Sequence, residues 1–441
     1  MKVIIIGLNH AGCAAAKTLL NLGCTNIHIY DQQREISFLS CGMHLWIGGQ
    51  LASGEGLFYA SPEDFKAPGT KVFTETCVES IDFQQRQIRG FDKTGRPFVD
   101  NYDKLILATG SKPRRAELPG GNLENIFSVK TYRDGEATVR QLARPNIRRV
   151  AIVGAGYVGV EMAEACQRQG KDVMLIDVAP RILYTHADQK FTELIANRLR
   201  DNGIQIYTNT RVLGFDGTNT VHGMRTSRGH FSVDMALVNM GAMPCTELGR
   251  GVLNIGPQGA YRVNDFQQTN IPEVYAAGDC AMVYNNALED YEYVSLASNA
   301  IRSGIIAALN IAGFSTPNHG SQGSSGLSIY GMKLLTTGIS VQNAQNRGMD
   351  VKWVDIDEQK YPHDLEENNP KIHMRLIYKT SDRTLVGAQI ASSADLSGLI
   401  HTLSLAIQTH MTIDALAWQD IFVTPEIAGT NLLRKAALMA V

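Results

Sequence analysis

No C-x-x-C pair occurs among the seven cysteines, and seven is an odd number. A disulfide framework or a zinc site is therefore disfavoured, and a reducing compartment such as the cytoplasm is expected. Charge is scarce: Asp, Glu, Lys and Arg make up 19% of the chain, against 44% hydrophobic residues. That balance argues against extended disorder. Neither sign prevails, since Lys+Arg 41 against Asp+Glu 43 leaves −2. Nucleic acids and anionic membranes select a basic face, so neither is expected as a partner. A membrane span is also missing. Residues 303–332 lack Asp, Glu, Lys and Arg, but carry many Asn, Ser, Thr, Gln, Gly and Pro residues, too polar for a hydrocarbon core. At the start, Lys2 precedes only residues 3–6 before Gly7 and Asn9, too short for a secretory leader. His363, His373, His401 and His410 show no ligand spacing, so no metal is expected.

What is present begins with length and glycine. A chain of 441 residues suggests about three domains. The 41 glycines are about 9% of the chain against an average near 7%, without a G-X-Y period. They belong at turns, or where backbone approaches backbone or a ligand. Residues 2–12, K-V-I-I-I-G-L-N-H-A-G, run from an apolar stretch through glycine into alanines and leucines at helical spacing. This reads as strand, tight turn, helix. A second strand over 27–30 ends at Asp31. The plan returns at 149–177: a strand over 150–153, a turn at Gly154-Ala155-Gly156-Tyr157-Val158-Gly159, a helix over 160–168, and a strand ending at Asp177.

In the second turn, Gly154 permits the sharp bend. Gly156 lets backbone reach a pyrophosphate, and Gly159 lets helix and strand pack closely. The helix start offers free N–H groups to phosphate. Asp177 stands where an acid accepts a ribose 2′-hydroxyl, which favours NADH over NADPH, although Arg181 lies four residues on. In the first turn Gly7 and Gly12 keep the outer positions, while Asn9 replaces the middle glycine. That turn suits a dinucleotide or an ordinary strand-to-helix junction. Strand ends are also expected at 105–108, running into Thr109-Gly110, and at 274–277, running into Gly278-Asp279. Residues 320–326 read as a linker or turn. Beyond them, strands near 327–340, 371–379 and 387–390 and a helix near 396–408 suggest a different domain.

Cys41 follows Asp31 closely, which carries it toward the mouth of the first unit. A short helix is expected after it, and a thiol at a helix N-terminus has a lowered pKa. The alternative is a structural cysteine, the reading that suits Cys13, Cys24, Cys77, Cys166, Cys245 and Cys280. Ile36 and Trp46 stand five residues to either side of Cys41, so no C-x-x-x-x-C relay exists. His10, in the first turn, either steers a thiolate or a peroxide, or caps a helix.

The two nucleotide units, Ser37-Phe38-Leu39-Ser40-Cys41-Gly42-Met43, His10 and the T-N-I-P-E-V-Y-A-A-G-D run at 269–279 together resemble the pyridine-nucleotide-disulfide oxidoreductases. More narrowly, they resemble the single-cysteine branch: NADH oxidase, NADH peroxidase and coenzyme A-disulfide reductase. The resemblance implies an α/β fold of two Rossmann-like units plus a C-terminal α+β dimerisation domain. It divides the chain into 1–112 with 245–318 for FAD, 113–244 for NADH, and 319–441 for a homodimer interface. It assigns Gly7, Gly12, Asp31, Ser40, Thr109, Gly110, Gly278 and Asp279 to FAD. Gly154, Gly156, Tyr157, Gly159, Glu161 and Asp177 go to NADH, with Tyr157 over the flavin and Glu161 near it. Cys41 is then a redox centre cycling between thiolate and sulfenic acid, with His10 beside it.

Within the branch, Phe58-Tyr59-Ala60-Ser61-Pro62-Glu63, Asn299-Ala300-Ile301-Arg302-Ser303-Gly304 and Tyr330-Gly331-Met332-Lys333 resemble the water-forming oxidases. NADH and O2 are the implied substrates. NADH peroxidase, coenzyme A-disulfide or persulfide reduction, and a non-catalytic flavin redox sensor are the alternatives. One departure stands out. The family's F-F-Q-P segment, which resembles the part reaching the partner's flavin, is replaced by Ile421-Phe422-Val423-Thr424-Pro425-Glu426.

Overall fold

Short, nearly uninterrupted apolar runs are what a parallel sheet covered on both faces demands. Val3–Ile6, fully buried along its length, is such a run. Each branched aliphatic side chain removed from water there contributes about 1.5–3 kcal/mol. The computed structural model describes residues 1–114, 117–361, 369–422 and 431–440. Its first sheet is parallel, in the order Val274–Ala276, Lys104–Leu107, Val3–Ile6, Ile27–Tyr30, Lys71–Phe73. The second repeats the pattern: Gln205–Tyr207, Asp172–Ile176, Arg149–Val153, Met235–Val238, Ile126–Phe127. The chain crosses between them on two strands, Ser111–Pro113 and Ala242–Pro244, which pair antiparallel.

The third sheet is antiparallel, ordered Ser325–Ile329, Met332–Gly338, Leu385–Ser392, Lys371–Lys379, Val351–Gln359. Helix Ser397–Gln408 lies against it. The expected strands and helix of this region are present. Val351–Gln359 was not expected, and neither were the small antiparallel sheets at Cys77–Asn101 and Val212–Ser232. The stretch 320–326 is not an exposed linker. Ser321 and Gln322 are buried, and strand Ser325–Ile329 begins inside it.

One buried carboxylate joins the second unit to the third sheet. Asp188, 5% exposed, precedes helix Gln189–Asp201. It accepts from Gln389 Nε2 at 2.8 Å, Arg375 Nη1 at 3.1 Å, and the backbone N–H groups of Val341 and Gln342 at 3.2 and 3.1 Å. Arg375 also grips Asp355 with two bonds of 2.7 Å. Arg375→Ala leaves Asp188 buried without its cation, which costs about 3 kcal/mol. The expected outcome is a lower thermal midpoint. A Gln389→Ala variant, which keeps the charge paired, falls less.

Candidate active site

Both glycine turns are built alike. Gly7 has φ +100°, and a Cβ there would stand 2.2 Å from the Ala108 carbonyl oxygen. Gly154 has φ +99°, with the Asn239 oxygen at the same 2.2 Å. Side chains at Gly12 and Gly159 would strike the Gly7 and Gly154 carbonyls at 1.9 and 1.7 Å. Each turn is braced by the acid that ends the next strand. Asp31 Oδ2 accepts the Leu8 N–H at 2.6 Å, and its other oxygen accepts from Gln33 at 2.7 Å. Asp177 does the same with Ala155 at 2.5 Å and Ala179 at 2.7 Å. These carboxylates thus hold protein backbone, a role that their position in the sequence does not disclose. Burial raises the Asp31 carboxyl pKa against the pull of those two N–H bonds.

The helices that follow, His10–Asn21 and Tyr157–Arg168, start without a side-chain cap and without an acid in the first turn. Helix Tyr132–Leu142, by contrast, is capped by Thr131 and Asp134. Free N–H groups and an unneutralised positive end remain at both glycine turns, and they suit an anion. A Cβ at Gly156 would meet only His186 Nε2, at 3.5 Å, so space remains above that turn. His10 is inside its helix; Asn9 holds the cap position, so capping does not explain the histidine.

Cys41 sits in the single turn Ser40–Gly42, directly before the five-residue helix Met43–Ile47. The turn rests on an aromatic cluster. Phe38 meets Phe58 and Tyr132 at 5.5 and 5.7 Å, and Trp46 stacks on Tyr132 at 5.2 Å. All seven cysteines are free thiols. The expected lowering of the Cys41 pKa is reversed. Burial pushes the thiol up first, the Glu161 charge pushes it further, and only one backbone N–H bond opposes them. So short a helix has too weak a dipole to outweigh a nearby carboxylate.

His10 stacks on Tyr59, ring centroids 5.2 Å apart and planes 5° from parallel. Its Nδ1 is buried with no hydrogen-bond partner. Burial lowers its pKa, the Asp279 charge raises it, and Lys130 lowers it. Tyr59 donates to Asn9 Oδ1 at 3.3 Å, and the charge of Cys41 also acts on its phenol. Asp279 accepts from Ser111 at 2.7 Å and Ser295 at 2.6 Å, with Lys130 Nζ at 3.4 Å. Gly278 donates its N–H to Ser303 at 2.9 Å. Thr109 donates to the Cys245 carbonyl at 2.6 Å, and the Gly110 carbonyl accepts the Cys245 N–H at 2.9 Å.

On the second unit, the Tyr157 hydroxyl bonds Ser325 at 2.8 Å and Thr336 at 3.3 Å, both on the third sheet. Its ring stacks on His186 at 4.3 Å, a histidine that burial lowers to about 4. Arg181 is folded back into its own loop. It lies over the Tyr184 ring at 4.5 Å and donates to the Ala187 carbonyl at 3.0 Å. It is engaged there rather than offered to a 2′-phosphate. Glu161 is largely buried, which raises its carboxyl to about 7, with Glu164 adding to the shift.

The pyridine nucleotide-disulphide oxidoreductase family matches residues 1–304, and its dimerisation domain matches residues 329–432. The chain belongs to this family. An NADH oxidase of Streptococcus pyogenes is 41% identical, with 100% of this chain and 99% of that protein aligned. The structure of a water-forming NADH oxidase from Lactobacillus brevis bound to NADH superposes with a TM-score of 0.96 at 32% identity, covering 100% and 98% of the two chains. An NAD-dependent persulfide reductase from A. fulgidus superposes with a TM-score of 0.95 at 25% identity, covering 100% of this chain and 83% of that one.

In this oxidoreductase, sequence reasoning singled out Tyr59 only as part of an oxidase-like segment, and it missed Lys130, His186 and His44. Of those three, only His44, three residues after Cys41, lies near a motif residue, where its type alone was a signal. Most of the altered segment at 421–431, and His363, lie outside the described residues.

Proposed function

We propose that this chain is an FAD-dependent NADH oxidase that reduces O2 to water, with Cys41 as its redox-active sulfur. The observation that carries this reading is a free thiol at Cys41, in the turn Ser40–Gly42 with no cysteine five residues to either side, in a chain aligned end to end with NADH oxidases. FAD fits the first turn. The uncapped helix at His10 suits its pyrophosphate, and the polar set around Asp279 suits its ribityl hydroxyls. Gly7, Gly12, Asp31, Ser40, Thr109, Gly110, Gly278 and Asp279 would hold it. Gly154, Gly156, Tyr157, Gly159, Glu161 and Asp177 would hold NADH. When bound, FAD supplies hydride acceptance from NADH and electron delivery to oxygen, chemistry no side chain offers.

The protein's own part is orientation and sulfur chemistry. The Cys41 thiolate takes one oxygen of hydrogen peroxide: the S–O bond forms, the O–O bond breaks, and hydroxide leaves. The sulfenic acid then returns to thiolate and water with a hydride equivalent from a second NADH. His10, through Tyr59, would orient the peroxide. The chain divides at 112/113 and 244/245, where the two crossing strands pair, with the third unit from 319. A homodimer through that unit is supported by the matched dimerisation domain and by Trp418 and Phe422, 72% and 70% exposed. Oxygen uptake on adding NADH to flavin-loaded protein tests the reading. No uptake, but NADH loss on adding peroxide, identifies a peroxidase instead.

Nucleotide choice gives a second expected result. With Arg181 engaged and Asp177 facing the turn, NADPH is a poor substrate. Asp177→Ala loses a charged acceptor, and kcat/KM for NADH falls about ten- to a hundredfold, narrowing the preference over NADPH. An unchanged ratio between the two nucleotides means that Asp177 only braces the turn.

A further inference from the structure

Against the backbone of the thiol turn stands a pair of titratable groups, Glu161, assigned above only to NADH, and His44, which has no assignment. His44 Nδ1 lies 3.0 Å from the Cys41 carbonyl oxygen. A carbonyl only accepts, so this nitrogen carries a hydrogen. The same Nδ1 is 3.7 Å from Glu161 Oε2, and both side chains are mostly buried. His44 belongs to helix Met43–Ile47, and Glu161 to helix Tyr157–Arg168 of the nucleotide unit. The contact therefore joins the thiol turn to the NADH side. Glu164 also acts on both groups, but its own charge is held by Arg168 at 2.7 Å and by the Tyr330 N–H at 3.2 Å. Tyr157, on the same helix face, feels Glu161 only weakly beside its burial and hydroxyl bonds.

We propose that Glu161 and His44 form one proton-holding pair that serves Cys41, donating the proton that turns the departing hydroxide into water. This deepens the proposed function and rests on Cys41 forming sulfenic acid. The balance requires such a donor. Thiolate plus hydrogen peroxide yields sulfenic acid plus hydroxide; the sulfur loses two electrons and the O–O bond gains them. Hydroxide is a poor leaving group unless protonated as it departs. The later return of sulfenic acid with a hydride equivalent yields thiolate and water with no further proton. The one proton demanded at the sulfur thus falls in the peroxide step, beside the pair. Burial raises the Glu161 carboxyl to about 7, so the pair it forms with His44 has a proton to give.

Two reagents separate this role from a structural one. Iodoacetamide alkylates the thiolate and releases iodide, which needs no proton. Hydrogen peroxide needs one. The experiment uses flavin-loaded dimer, with Cys41 alkylation and dimedone-trapped sulfenic acid followed by mass spectrometry across pH, in the absence of NADH. In Glu161→Gln, removal of the anion moves the alkylation curve to lower pH, so alkylation at pH 7 rises. Sulfenic acid formation per thiolate falls about tenfold or more and loses its decline above pH 7. His44→Gln, a milder change on a short helix, replaces an imidazole whose pKa burial lowers, so alkylation stays near its unsubstituted curve while sulfenic acid formation per thiolate falls because the pair loses a member. Both reagents slowing or quickening together in the two variants overturns the proposal. Absence of sulfenic acid in the unsubstituted protein overturns the Cys41 reading and the proposal with it, which distinguishes the two failures.

Discussion

Cys41→Ser is expected to release hydrogen peroxide while NADH and oxygen are still consumed. The thiol is free and has no neighbour to replace it. Its turn is held by the Leu39 N–H on the Leu57 carbonyl, by the Gly42 N–H on the Leu39 carbonyl, and by an aromatic bed that does not depend on sulfur. A serine hydroxyl fits the same turn, so the nucleotide sites remain. It is not a soft nucleophile and cannot form a sulfenic acid. Two electrons still reach each oxygen, but nothing takes up the second oxygen atom. Consumption of NADH per oxygen falls from about two to about one, and peroxide appears in equal amount to the oxygen lost. Catalase returning half the oxygen to the electrode checks this. A variant that still makes water with no peroxide shows that Cys41 is a structural cysteine.

Gly7→Ala is expected to abolish flavin retention. At φ +100° an L-residue is strained by about 1–2 kcal/mol, and the added carbon would lie 2.2 Å from the Ala108 oxygen. That oxygen is backbone between the buried strand Lys104–Leu107 and Thr109, so it cannot swing aside. The turn itself must move, and with it the uncapped helix start at His10. Losing a backbone-to-phosphate fit of this kind costs well over a tenfold drop in affinity, about 1.4 kcal/mol. The purified variant should lack the yellow flavin absorbance. Gly398→Ala is the matched control. It sits exposed in helix Ser397–Gln408 with open space around it, and should keep its flavin. A fully yellow Gly7→Ala protein means the first turn is an ordinary strand-to-helix junction.

The two glycine turns were legible before any fold. Glycines at 7, 12, 154 and 159 stand where an added Cβ would strike backbone, and their spacing between strand and helix marks such a turn in the sequence. The buried parallel strands were legible because both faces are covered and the runs are purely apolar. Val351–Gln359 was not. Its sequence V-K-W-V-D-I-D-E-Q alternates with charge, as an edge strand facing solvent does, and it looks like a loop until Lys371–Lys379 pairs with it. The Cys41 ionisation went the other way from expectation because burial, and then the charge of Glu161 from a helix far off in sequence, both act only once the chain has folded. His44, and the stacking of Tyr59 on His10, escaped for the same reason. Their chemistry lies in what they touch, and local pattern carries no record of a contact made between units. Asp31 and Asp177 were found by position, while their hold on the glycine turns is a hydrogen-bond fact that only coordinates disclose.

The stoichiometry of the unsubstituted, flavin-loaded protein is the most direct measurement. NADH loss and oxygen loss are recorded together, and residual peroxide is assayed at the end. Four electrons per O2 require about two NADH for each oxygen, with no peroxide left, and that is the expected result. About one NADH per oxygen with an equal yield of peroxide contradicts the reading, because Cys41 would then take no part in the turnover.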